Sequence, residues 1–263
     1  MSAVRLLLAY DGTDFHGWAR QPGVRTVQGA IEDALARMLG EPPRLSVAGR
    51  TDAGVHALGQ VASFLAPPAV DPLRVQRMLN GLLAPEVVVR QARVAPNSFD
   101  ARHSATGREY LYRISTGPVP DPFTARYVWH RPGRLQVAAM RAAARLLRGE
   151  LDFASFCRAP TLPASTVRDL RRLGVSARGE ALEIRAEANA FLHQMVRSLV
   201  GTLVAVGEGK IDANAMPEIL AARNRAMAGP VAPSHGLTLV RVRYGRRPRQ
   251  TPDAGGPTRD AGR

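Results

Sequence analysis

A single carboxylate, Asp52, stands two residues after a fixed cation, Arg50, in the octapeptide Gly49-Arg50-Thr51-Asp52-Ala53-Gly54-Val55-His56. A carboxylate in such a place can act as a nucleophile when it is ionised. An apolar run, Leu45 to Ala48, leads into the octapeptide, and a second, Val61 to Leu65, follows it. The pattern predicts two short strands around a tight loop that glycine permits. A loop held by two strands presents a side chain rigidly into a cleft, where function tends to sit. The plain alternative is a turn in which Asp52 caps its own backbone and Arg50 is solvated.

Three other stretches carry groups that could serve a site. In Arg108-Glu109-Tyr110-Leu111-Tyr112, a strand would put Arg108, Tyr110 and Tyr112 on one face. That face could be an aromatic platform for a base, or the core side of a half-exposed strand. Asn189-Ala190-Phe191-Leu192-His193-Gln194-Met195-Val196-Arg197 opens a long helix with His193 and Arg197 four apart, off the centre of its apolar stripe. They form either a solvated polar face or a pair in which Arg197 reaches toward Asp52. Tyr10-Asp11-Gly12-Thr13-Asp14-Phe15-His16-Gly17-Trp18 mixes aromatics with turn residues. It reads as a loop that touches RNA or as a packed turn with Trp18 half buried. Phe99-Asp100-Ala101-Arg102 and the group Arg168, Arg171 and Arg172 add cations without chemistry of their own.

Composition points the same way. The net charge is +14 on 263 residues, and Lys210 is the only lysine, so nearly all the positive charge is Arg. A protein this basic usually meets a polyanion, with nucleic acid the first candidate. Arg suits phosphate, because its planar fork reaches two oxygens and stacks on bases. Cys157 is the only cysteine, which excludes an intrachain disulfide and a cysteine-rich metal site. The histidines lack paired ligand spacing, and no phosphate-cradling glycine loop or Ser/His/Asp set is present. The expectation is chemistry from one carboxylate flanked by arginines, with no metal and no cofactor. No stretch approaches a membrane span, and Met1 to Arg5 leads straight into a strand, so a cytoplasmic location is expected.

These groups need elements to position them. Val4 to Tyr10 reads as a strand ended by Asp11-Gly12. Thr26 caps a helix over Val27 to Leu39 that Gly40 stops. Leu45 to Ala48 and Gln60 to Leu65 are strands, Pro72 to Leu82 is a helix capped by Asp71, and Val87 to Val94 is a strand. That order is the split βαβ arrangement. It then recurs, with strand Arg108 to Ser115, helix Gln136 to Arg148, hairpin Val167 to Ala177 with Ala181 to Ala188, helix Phe191 to Val206 and strand Leu237 to Tyr244. A short helix, Met216 to Ala222, precedes the last strand. The fold class is α+β: two ferredoxin-like (βαββαβ) halves, residues 1–103 and 104–245, with antiparallel-rich sheets joined across a central basic cleft. Residues 246–263, rich in Arg, Pro, Gly and Asp, read as a disordered basic tail.

At this point the chain resembles a tRNA pseudouridine synthase of the TruA family. The octapeptide Gly49 to His56 resembles that family's catalytic motif. Tyr10-Asp11-Gly12 with Gly17-Trp18, Ser104-Ala105-Thr106 with Arg108-Glu109-Tyr110, Asp152-Phe153 with Ser155-Phe156, and Asn189-Ala190-Phe191 with Met195-Val196-Arg197 match in order. Leu192-His193-Gln194 departs, since relatives often carry an extra arginine there. The resemblance implies that Asp52 attacks the target uridine and that Arg197 pairs with Asp52. It implies that Tyr110 stacks on the flipped uracil and Arg50 fills the space the base leaves. It further implies action at uridines 38, 39 and 40 of the tRNA anticodon arm, usually by a homodimer. The point of attack, C6 of the base or C1′ of the sugar, stays open.

Two other classes remain. A catalytically silent RNA-binding protein would use sheet aromatics, but aromatic residues make up only 5 % of this chain. An aspartate-dependent glycosidase needs a second nearby carboxylate, and none accompanies Asp52 in its motif.

Overall fold

The structure, a computed structural model, describes residues 2–67, 69–158 and 161–245. Strands β1 (Ser2–Tyr10), β2 (Ser46–Val47), β3 (His56–Ala66) and β4 (Val87–Ala95) alternate with helices α1 (Val27–Leu39) and α2 (Pro72–Leu83). Then follow β5 (Ala105–Ser115), β6 (Trp129–His130), α3 (Val137–Leu146), β7 (Gly149–Asp152), β8 (Val167–Arg178), β9 (Ala181–Ala188), α4 (Met195–Gly207), α5 (Met216–Ala221) and β10 (Leu237–Tyr244). The strands make one mixed sheet in the order β4-β1-β3-β10-β5-β9-β8-β7, with β2 beside β3 and β6 beside β5. Most neighbours are antiparallel; β3–β10 and β5–β6 are parallel.

Local signals explain many of the ends. Thr26 Oγ1 accepts from Gly29 N at 3.2 Å, and Gly40 closes α1 in the left-handed region with φ 85°. Asp71 accepts from Leu73 N at 2.9 Å ahead of Pro72, which loses no hydrogen bond at the first helical position. On β1, Val4, Leu6, Leu8 and Tyr10 face the core, the period-two pattern of a strand that packs helices on one side.

The seam between β3 and β10 is narrow, with Thr238 opposite His56 and Leu239 opposite Ala57. Gly59 permits it: a Cβ there would lie 2.3 Å from the carbonyl oxygen of Val240. The seam sets the loop after β2 beside residues that come from the other end of the chain.

Several expected bounds are corrected. The segment from Phe191 is not helical until Met195, and Gln194 has a left-handed φ of 56°. Tertiary partners hold it instead: Asn189 Oδ1 accepts from Asp169 N at 3.0 Å, and Arg158 N donates to His193 O at 3.1 Å. Strand β2 is only Ser46–Val47, helix α3 ends at Leu146, and β5 starts at Ala105 rather than Arg108. Strands β6 and β7 were not expected; they are two and four residues long and depend on their partners β5 and β8. Trp18 is 1 % exposed, not half buried. The expected tail, 246–263, lies outside the described residues. No helix among them is long and apolar enough to cross a membrane.

Candidate active site

A cleft of about 1450 Å³ runs along the seam. Arg44, Arg50, Arg102, Arg108, Arg168 and Arg197 are on its walls, with Asp52 and Tyr110. Burial pushes the Arg168 guanidinium below its ordinary value without discharging it.

The loop that carries Asp52 is braced from below. Gln60, fully buried, donates from Nε2 to Gly49 O at 2.7 Å and to Tyr10 Oη at 3.3 Å. Tyr10 Oη lies 2.8 Å from Thr51 Oγ1. Burial pushes the Tyr10 hydroxyl up to about 12, against the hydrogen bonds from Thr51 and Gln60, so it stays a neutral partner. Trp18 N donates to Thr51 O at 3.0 Å, and Gly54 N to Phe15 O at 3.3 Å. The Tyr10-to-Trp18 segment is thus the packed turn, beneath the loop that carries Asp52, and Trp18 is fully rather than half buried in it. A Cβ on Gly12 would meet Val55 O at 2.0 Å, so only glycine lets the two loops approach this closely.

Both oxygens of Asp52 face a cationic or ionisable side chain from the segment Asn189 to Arg197. Arg197 Nη1 donates to Oδ2 at 2.9 Å, and Arg197 Nε donates to Ala232 O at 2.8 Å. His193 Nε2 lies 3.8 Å from Oδ1. The expected Arg197–Asp52 contact is therefore present, although His193 precedes the helix and does not share a helical face with Arg197.

Tyr110 is 8 % exposed and lines the cleft, with its ring edge-on to Phe191 at 5.2 Å between centroids. Burial, with the nearby Tyr10 and the charge of Asp52, raises its hydroxyl pKa far above the ordinary phenol value. Tyr112 is fully buried and donates to Pro233 O at 2.8 Å, so it is a core residue and not part of an aromatic platform. Arg50 is exposed on the cleft wall.

Two contributors were not assigned from sequence. His193 was noted only for its spacing to Arg197. Arg108 was placed on a strand face, but its guanidinium is buried as a clamp. It donates from Nε to Ala48 O at 3.0 Å, from Nη2 to Ala48 O at 2.6 Å and Arg102 O at 3.1 Å, and from Nη1 to Asn189 O at 2.8 Å and Ala105 O at 3.2 Å. The available signal is a charged residue on the strand face it shares with Tyr110, Tyr112 and Ile114.

Comparisons with known proteins identify the family. The sequence model of the family described as tRNA pseudouridine synthase matches residues 7–104 and 143–245. The tRNA pseudouridine synthase A of Frankia casuarinae is 51 % identical over 246 residues, covering 92 % of this chain and 89 % of that protein. Those of Geobacter sulfurreducens and Geobacillus kaustophilus are each 44 % identical; the first covers 93 % of this chain and 100 % of its own, the second 92 % and 94 %. With matches of this extent on both sides of the cleft, the chain belongs to the tRNA pseudouridine synthase family.

Proposed function

We propose that the chain isomerises uridine to pseudouridine at positions 38, 39 and 40 of the tRNA anticodon arm, with Asp52 as the nucleophile. The observation that carries this reading is the Asp52 carboxylate in a basic cleft, with Oδ2 held by Arg197 at 2.9 Å. A carboxylate must be ionised to attack, and the Arg197 guanidinium gives it a fixed counter-charge.

In this reading the target nucleotide flips out of the stem. Its uracil stacks on Tyr110, and Arg50 fills the vacated place in the stack. Arg197 orients the carboxylate so that Oδ1 meets the nucleoside. The N1–C1′ bond breaks, the uracil turns, C5 bonds to C1′, and the bond that Oδ1 made to the nucleoside breaks, which returns the free Asp52 carboxylate. The bracing of Gly49 and Thr51 by Gln60 and Tyr10 supports the reading, because a nucleophile acts only if its loop does not give way.

The two-half architecture belongs to the same proposal, with halves at 1–103 and 104–245. Its support is an order that repeats: β4-β1-β3-β2, then β10-β5-β9-β8. In each set the first strand in sequence lies second in the sheet, as in a split βαβ unit. A homodimer that holds one tRNA between subunits, acting in the cytoplasm, completes the proposal.

The test is incubation with a tRNA bearing uridines at the three positions, followed by position-resolved detection of pseudouridine. Product at those positions with wild type, and none with Asp52→Asn, is expected. Binding without product would favour the silent RNA-binding alternative, and product elsewhere would reject the anticodon-arm assignment.

A further inference from the structure

The cleft contains a proton-exchanging group that the roles above leave unused. His193 lies where Leu192 and Gln194 flank it in a non-helical turn, with the side chain of Gln194 also on the cleft wall. Its Nδ1 is hydrogen-bonded to the backbone carbonyl oxygen of Arg158. A carbonyl oxygen can only accept, so Nδ1 carries the hydrogen in this contact. A ring that carries its hydrogen only at Nδ1 has its lone pair at Nε2, and Nε2 lies 3.8 Å from Asp52 Oδ1. The side chain of His193 is 50 % exposed, that of Asp52 25 % and that of Arg197 15 %. His193 thus sits on the open, substrate-facing side of the carboxylate, and Arg197 on its inner side.

We propose that His193 Nε2 accepts the proton that leaves C5 of the uracil in the last step of the reaction. The proposal rests on the isomerase reading above. Once C5 has bonded to C1′, it carries both the sugar and its original hydrogen. Nε2 takes that hydrogen as a proton. The C5–H electron pair restores the C5–C6 double bond, the N1–C6 double-bond pair returns to N1, and N1 takes a proton from the His193 imidazolium or from water. No oxidant or reductant is needed, and the net change is one proton moved from C5 to N1.

The other groups at the site suit this step less well. Arg197 and Arg108 stay protonated and have no lone pair to offer. Tyr110 is a neutral phenol, because burial raises its pKa, and a neutral phenol is a poor base. Asp52 Oδ2 is occupied by Arg197, and Oδ1 is the oxygen left for attack. The backbone pairing of Arg158 N to His193 O at 3.1 Å holds the main chain of His193, and the bond from Nδ1 to Arg158 O orients its ring.

The test compares tRNA carrying ordinary uridine with tRNA carrying 5-deuterouridine in single-turnover reactions at saturating enzyme. The variants are His193→Gln, which can still donate to the Arg158 carbonyl, and His193→Phe. Loss of a positioned base lowers a rate by roughly 100-fold or more. Both variants should slow by that order and show a larger deuterium isotope effect than wild type, because loss of the C5 proton becomes rate-limiting. Added imidazole should restore part of the His193→Phe rate. Unchanged rates overturn the proposal. So does a slow variant whose isotope effect equals that of wild type, since that is the signature of a merely positional role. Wild type that makes no pseudouridine fails the underlying reading instead, and is scored separately by the ordinary-uridine arm.

Discussion

Arg108 grips the carbonyl oxygen of Ala48 with two donors, Nε at 3.0 Å and Nη2 at 2.6 Å. Ala48 immediately precedes the loop of Asp52. The third nitrogen, Nη1, holds Asn189, which begins the segment that ends in Arg197. One guanidinium, 8 % exposed, thus ties the strand that leads into the Asp52 loop to the segment that carries Arg197, the cation on Asp52 Oδ2. Burial lowers its pKa from the usual guanidinium value, yet it remains a cation, and four carbonyl oxygens take the place of a carboxylate partner.

Arg108→Met should therefore cost both stability and turnover. It leaves buried carbonyls unpaired, and each such group costs about 1–3 kcal/mol. The expected loss is about 3 kcal/mol in urea denaturation. Arg108→Lys should fall between, because a point charge with three donors cannot reach four carbonyls in a fork. A denaturation midpoint unchanged in Arg108→Met would show that the clamp carries no load.

Tyr110 and Tyr112 should separate by function. Tyr110→Leu should remove base stacking, worth about 1–3 kcal/mol, and weaken the productive complex while the fold holds. Tyr110→Phe should keep most of the activity. Tyr112→Phe should leave tRNA binding alone and lose about 1 kcal/mol of stability, the worth of its bond to Pro233 O. Equal effects of Tyr110→Leu and Tyr112→Leu on tRNA affinity would contradict this division.

What the sequence disclosed depended on how local the cause was. Thr26 and Gly40 bound α1 through contacts within four residues, so the helix was legible to its ends. The same holds for Asp71 with Pro72 and for the hairpin around Gly179. The start of α4 was not legible, because Asn189 and His193 are held by Asp169 and Arg158, far away in sequence. Asp52 and Arg197 could be named from their motifs, but the meeting of His193 with Asp52 crosses the sheet seam and has no local signature. The full burial of Trp18 has no local signal, because its partner Thr51 O lies in the distant loop that carries Asp52.

Acid should unfold the protein partly through the end of β1. Burial works to raise the pKa of Asp11, but hydrogen bonds from the side chain and backbone of Thr13 and from Tyr127, with the charge of His56, outweigh it and leave the pKa lowered. Tyr127 Oη donates to Asp11 Oδ2 at 2.7 Å, joining residues far apart in the chain. Asp152 is lowered in the same way: burial is outweighed by Thr166, Ala154 N and Arg223. A carboxylate lowered in the folded state adds stability above its unfolded value, about 3.9, and loses it as pH falls through the folded value. Stability should thus decline below about pH 4. Asp11→Asn should be less stable at neutral pH and show a shallower acid decline. Parallel stability–pH curves for the variant and wild type would rule Asp11 out as a contributor.

Affinity for tRNA should fall steeply with salt. The net charge is +14, and six arginines line the cleft. Each phosphate neutralised contributes about 0.7–0.9 to the slope of log affinity against log salt. Arg44→Ala, on the cleft wall, should weaken binding and reduce that slope by about 1 if Arg44 meets a phosphate. A wild-type slope near zero would remove the electrostatic basis of the complex.

Arg197 should matter more for rate than for binding. Its guanidinium is aimed by the protein, since Nε donates to Ala232 O at 2.8 Å and Ala232 N returns a bond to Arg197 O at 3.1 Å. Nη1 donates to Asp52 Oδ2 at 2.9 Å. Arg197→Met removes the counter-charge from a carboxylate that substrate would further desolvate. Loss of one preorganised electrostatic partner typically costs about 100-fold in rate. That loss should appear in single-turnover rates at saturating tRNA, with affinity changed little. Arg197→Lys should recover only part, because one ammonium cannot serve Ala232 O and Asp52 together. A stability cycle of Asp52→Asn, Arg197→Met and the double variant isolates the pair; neighbours in contact couple by about 0.5–3 kcal/mol. Zero coupling together with an unchanged rate would mean that Arg197 is held by Ala232 alone and does nothing for Asp52.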